Sequence, residues 1–266
     1  MGIPILILGE SGTGKSASMR NFKPDEIALA NVAGKPLPFR GKFEETINTD
    51  SYRQIKKFMK ESFADVVVID DAQYLMANEF MRRSGERGYD KFTEIGVNFW
   101  DLVRSVIDLP PDKIVVFMAH IDRDANGNEK IKTIGKLLDE KITVEGMFTI
   151  VLKTSVSDGK FSFMTVNNGH DTVKSPIGLF KSSEIENDLK AVINAVRAYY
   201  GGGEDIEIPF TVDDDPEPEQ EQEQKKRAPR KDEKKDNGEA EKEKPKDTPK
   251  EESETPRRTR RTRKER

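Results

Sequence analysis

The chain has 266 residues, of which 35% are Asp, Glu, Lys or Arg, with a formal net charge of −4 and no cysteine. The missing cysteines exclude a disulfide framework and a thiolate zinc site and fit a reducing compartment. A charge so close to balance excludes a chain that is basic throughout and binds nucleic acid by bulk charge alone.

Large apolar residues almost cease after Phe210 and Val212. Composition therefore predicts a globular domain over residues 1–202 and a disordered charged tail over 203–266, whose few apolar groups cannot offset the entropy of ordering it. No apolar stretch approaches the length of a membrane span, and no signal peptide precedes the first strand. The expectation is a cytoplasmic protein with no membrane association.

Residues 3–8, Ile-Pro-Ile-Leu-Ile-Leu, read as a short buried strand. They feed directly into Gly9-Glu10-Ser11-Gly12-Thr13-Gly14-Lys15-Ser16, which matches the Walker A phosphate-loop pattern G-x-x-x-x-G-K-[ST]. Such a loop needs glycines where a Cβ would block close backbone approach, and N–H groups aimed at the phosphates. All eight residues are expected to hold ATP, with Lys15 reaching the β and γ phosphates as a catalytic cation and Ser16 ligating Mg²⁺. An ordinary glycine-rich turn is the plain alternative. Gly14 to Asn21 should open the first helix, its N-terminus facing the phosphates.

Ile27 to Val32 reads as a second strand, followed by the turn-rich Gly34-Lys35-Pro36-Leu37-Pro38. Ser51 is placed to cap a helix running to about Phe63, with Tyr52, Ile55, Phe58 and Met59 on one face. Ala64 to Asp71 is a β-branched run ending in two carboxylates, as a buried central strand would deliver acids to its C-terminal edge. It is read as a Walker B strand. Asp70 becomes the Mg²⁺ partner, and Asp71 the catalytic base or water-orienting group, or else the N-cap of the helix that follows.

That helix is expected from Ala72 to Met81, with a break at Ser84 to Gly88 and a second helix to about Ile107. Its residues Phe92, Ile95, Phe99, Trp100, Val103 and Val106 are assigned to the core. Lys113 to His120 is another buried strand, and His120 at its end is a candidate sensor of the γ-phosphate or a turn residue. Asp122 to Lys136 carries Arg123, Lys130, Lys132 and Lys136, and reads as a DNA-facing loop, a source of a cation in trans, or a solvated loop.

Met147 to Ser155 and Lys160 to Val166 flank Asp158-Gly159, a strong hairpin signal that predicts an antiparallel extension of the sheet. Glu184 to Tyr200 reads as an amphipathic helix stopped by Gly201-Gly202-Gly203. Alternating strands and helices predict an α/β three-layer P-loop NTPase with a mostly parallel sheet and this C-terminal hairpin. In the tail, Asp213 to Glu223 is acidic, and Arg257 to Arg266 is basic enough to meet phosphates or to fold back on the acidic block.

Several of these features together resemble one family: the phosphate loop close to Met1, Asn31-Val32 followed by Gly34-Lys35-Pro36-Leu37-Pro38-Phe39-Arg40, the Asp70-Asp71 strand end, the His120 strand end and Gly135-Lys136-Leu137-Leu138. The set is similar to the phage-encoded P-loop ATPases with a minimal RecA-like core, the Sak-four-like single-strand-annealing and recombination proteins, over about residues 1–200. The resemblance implies an AAA-type ATP-binding domain that oligomerises on single-stranded DNA in the host cytoplasm, beside a single-stranded-DNA-binding protein. RecA-type enzymes place a catalytic Glu at a strand end after the phosphate loop, where this chain has Asn31-Val32-Ala33. Either Asp71 or Glu44 takes the role, or turnover is weak. A small nucleotide or nucleoside kinase and a non-catalytic, ATP-dependent assembly module are the competing readings; the kinase would want an Arg-rich lid, whereas Asp122 to Lys136 is Lys-rich.

Overall fold

The computed structural model describes residues 1–204 and 206–209; the acidic block and the Arg-rich end of the tail lie outside them. The strands are β1 (Ile3–Gly9), β2 (Ile27–Asn31), β3 (Glu45–Asn48), β4 (Val66–Asp70), β5 (Ile114–Arg123), β6 (Glu129–Ile131), β7 (Ile150–Ser157), β8 (Lys160–Met164) and β9 (Glu184–Glu186). The α-helices are α1 (Tyr52–Glu61), α2 (Gln73–Arg82), α3 (Asp90–Arg104) and α4 (Leu189–Gly201). The sheet runs β3-β2-β4-β5-β1-β7-β8-β9, with β6 attached to β5. From β3 to β7 all neighbours are parallel, while β8, β9 and β6 pair antiparallel.

Successive side chains of a strand point to opposite faces, and here both faces are apolar. Leu6, Leu8, Val67, Ile69, Val115 and Phe117 pack with Ile55 and Met59 of α1, Leu75 and Met76 of α2, and Ile95 and Phe99 of α3. Ile5, Ile7, Val66, Val68, Val116 and Met118 pack on the other face with Leu189, Val192, Ile193 and Val196 of α4. The result is the expected α/β arrangement of helix, sheet and helix layers. Ser51 caps α1, its side chain accepting from Gln54 N. Asp158 and Gly159, at φ of 51° and 77°, make the tight turn between β7 and β8.

Several expectations are corrected. The segment that starts at the last residue of the Gly9–Ser16 motif is a six-residue 3₁₀ helix, Ser16–Asn21, and not an α-helix opening at Gly14. Gly14 has a φ of 94°, outside the helical region, and the chain is extended again at Phe22, ahead of Pro24. Arg20 Nη1 and Asn21 Nδ2 tie the short helix to Asn187 O (2.5 Å) and Asp188 Oδ2 (2.8 Å).

Strand β5 continues past His120 to Arg123 and forms a hairpin with β6, where a polar loop was expected. Strand β7 is itself parallel to β1, so the antiparallel part begins only at β8. Glu184 to Glu186 is strand, and α4 starts at Leu189, because Asp188 Oδ1 accepts from the N–H groups of Lys190 and Ala191 (2.8 and 3.2 Å). Gly202, left-handed at φ 73°, ends α4. Beyond it Ile208 is buried and Pro209 O accepts from Glu186 N at 3.3 Å.

Candidate functional site

In the parallel register Gly9 pairs with His120 and Asn31 with Asp70. The C-terminal ends of β1, β5, β4 and β2 therefore stand side by side, with β5 between the strand that carries the Gly9–Ser16 loop and the strand that carries the acids. A cavity of about 450 Å³ opens on this edge, bounded by Ser11, Gly12, Gly14, Lys15, Ser16, Asp70, Asp71 and His120. In an open α/β sheet this is where ligands bind.

The predicted residues take distinct places. The Lys15 side chain is nearly buried, and its Nζ donates to the carbonyls of Gly9 (2.9 Å) and Glu10 (2.6 Å). Burial lowers its pKa, and the carboxylates of Asp71 and Asp70 partly oppose that shift. The Ser16 hydroxyl donates to Asp70 Oδ2 at 2.7 Å. Burial raises the Asp70 pKa, against the hydrogen bond from Ser16. Gly9, Glu10 and Thr13 support the loop without bounding the cavity. A Cβ on Gly9 would fall 1.8 Å from Thr154 Oγ1, the Glu10 carboxylate turns to Arg123 (2.8 Å), and the Thr13 hydroxyl meets Thr154 Oγ1 at 2.5 Å.

Asp71 does not cap α2: the cap position is Ala72, with no side-chain cap. Its backbone is left-handed, φ 59°, and its carboxylate lies 2.9 Å from Lys35 Nζ and 3.3 Å from His120 Nε2. Burial pushes the Asp71 pKa up, but the hydrogen bonds from His120 and Lys35 outweigh it and hold the group at about 2. A carboxylate this acidic is a weak proton acceptor at neutral pH, which suits an orienting group better than a base.

The same shift sets a pH dependence. The pKa is depressed on folding, so the stabilisation is complete above the unfolded value near 3.8 and disappears as pH falls toward about 2. Urea titrations between pH 5 and 3 are therefore expected to show a shallower acid-side loss of stability in Asp71→Asn than in the parent chain.

His120 also bounds the cavity, its backbone N–H donating to Gln73 Oε1 (3.2 Å) and its ring edge-on to Tyr74 with centroids 6.2 Å apart. Glu44 is not there: it is exposed just before β3, at the N-terminal end of the parallel strands, on the opposite edge of the sheet. The cations of the Asp122 to Lys136 segment are largely matched by acids, Arg123 with Glu10 and Glu129, Lys130 with Asp139, and Lys136 with Glu140. Such pairing leaves little free positive charge to meet a polyanion.

Sequence reasoning gave no site role to Lys35, Asn31 or Phe161, which also bound the cavity. The available signal was a cation between Gly34 and Pro36, in a turn directly after the β2 strand end. Among the described residues no group of three or more His, Cys, Asp or Glu side chains could hold a metal ion. Ser16 and Asp70 still offer two adjacent hard oxygens, and Mg²⁺ is commonly held by one or two protein oxygens with phosphates and waters completing the shell.

No family model matches the chain, and no curated protein matches it. No helix among the described residues is long and apolar enough to cross a membrane.

Proposed function

We propose that the chain binds Mg-ATP in the cavity around Gly9–Ser16 and is a DNA-dependent ATPase of phage recombination or single-strand annealing, similar to the Sak-four-like proteins. The observation that carries the reading is the 2.7 Å contact from Ser16 Oγ to Asp70 Oδ2, which joins the last residue of the loop motif to an acid 54 positions away at the end of another strand. A turn without a ligand role has no need of that pairing. The buried cation of Lys15 beside it supplies charge for the β and γ phosphates, and Mg²⁺ held by Ser16 and Asp70 would neutralise the rest.

Phosphoryl transfer depends mainly on positioning and charge, so Lys15, Mg²⁺ and one polar group near the γ-phosphate would support slow hydrolysis. A single-stranded-DNA-binding protein and self-assembly come from the family resemblance alone, and the DNA partner from that resemblance together with the basic Arg257 to Arg266 segment of the sequence. ATP hydrolysis measured with and without single-stranded DNA at two salt concentrations tests the proposal. Turnover should rise with DNA and the stimulation should weaken as salt increases. Absence of turnover in every condition overturns the ATPase, and stimulation only by a nucleoside acceptor replaces it with a kinase.

A further inference from the structure

The cavity holds a second cation besides that of the loop motif, and its placement is specific. Gly34 is left-handed at φ 65°, and a residue before proline is confined to extended conformations, so Gly34 and Pro36 narrow the backbone choices at Lys35. Asn31 Nδ2, at the end of β2, then donates to Lys35 O at 2.7 Å and pins the loop to the strand end. The side chain is treated differently from the backbone. It is 61% exposed, yet its Nζ reaches Asp71 Oδ2 at 2.9 Å, where the carboxylate is only 12% exposed, and it stands 5.2 Å from the centre of the Tyr74 ring.

Stability does not account for this arrangement, because an ion pair with one partner so exposed contributes only about 0–1 kcal/mol. The position does suit a ligand. Lys35, Asp71 and His120 bound the same cavity as Lys15, Gly12 and Gly14.

We propose that Lys35 is a γ-phosphate ligand supplied by the same chain: a pinned loop presents its ammonium, Asp71 holds it at the cavity, and it transfers from the carboxylate to the terminal phosphate of a bound triphosphate. The inference rests on the reading of the cavity as a nucleotide site. It makes Lys35 the group that distinguishes a triphosphate from a diphosphate, and it gives Asp71 the work of parking that cation.

The test is calorimetric affinity for ADP and for a non-hydrolysable ATP analogue, each with Mg²⁺, in the full chain and in Lys35→Ala and Lys35→Arg. Lys35→Ala should weaken the triphosphate about tenfold or more while leaving ADP within about twofold, as expected for one lost charge-assisted contact. Lys35→Arg should restore most of the difference. An unchanged triphosphate-to-diphosphate ratio in Lys35→Ala overturns the proposal, as does an equal loss for both nucleotides. Absence of binding of either nucleotide by the parent chain overturns the nucleotide site itself, a separate and recognisable result.

Discussion

Lys15→Ala is expected to weaken ATP binding by about a hundredfold or more, the loss anticipated when a buried cation with more than one phosphate contact is removed. The side chain is 6% exposed, and its ammonium already bridges two loop carbonyls. Fluorescence or calorimetric titration with ATP checks the effect, and Lys15→Met, which keeps the aliphatic stem, separates the loss of charge from the loss of packing. Unchanged affinity in both variants would remove the Gly9–Ser16 loop from the binding site.

The second large effect concerns the metal. Asp70→Asn should reduce Mg²⁺-dependent turnover by about a hundredfold or more, because a neutral amide cannot neutralise a divalent cation beside the phosphates. The same change should leave the melting temperature equal or slightly higher. Burial already disfavours the charged form of Asp70, so an amide of nearly the same shape relieves a desolvation cost, its oxygen keeping the Asp71 N–H and its NH₂ donating to the Ser16 hydroxyl, which turns to accept. A calorimetric melting curve beside an activity assay checks both halves. Loss of activity through unfolding would contradict the prediction as surely as retained activity would.

The parts of the fold that were legible in the sequence are the ones that solvent exclusion writes most strongly. β1, β2, β4 and β5 are buried on both faces and read as continuous apolar runs, and Asp158-Gly159 marked its hairpin directly. β3 is half-exposed, with Glu45, Thr46 and Asn48 diluting Ile47, and β6 and β9 have three residues each, too few to show a period. The α4 start was misplaced because Glu184 to Asp188 is as polar as a first helical turn, and only the Asp188 cap distinguishes strand from helix there.

The loop motif and the acids and histidine at strand ends were legible, whereas Asn31, also at a strand end, carried no chemical signal of its own. Gly12, Gly14, Lys15, Ser16, Asp70, Asp71 and His120 all bound one cavity. Lys35 was not legible, since its relation to Asp71 depends on β2 and β4 being neighbours, and adjacency in a sheet is a property of topology that local patterning does not encode.

The left-handed backbone at Asp71 also limits what this position can become. A residue at φ 59° is comfortable chiefly as Gly, which lacks a Cβ, or as Asn or Asp, whose short polar side chains locally compensate the conformation. Lengthening the acid to Glu, or branching it at Cβ, would oppose the backbone before any question of chemistry arose. Natural variation at residue 71 should therefore be confined to a very small alphabet, and an acidic group can persist there only in its shortest form.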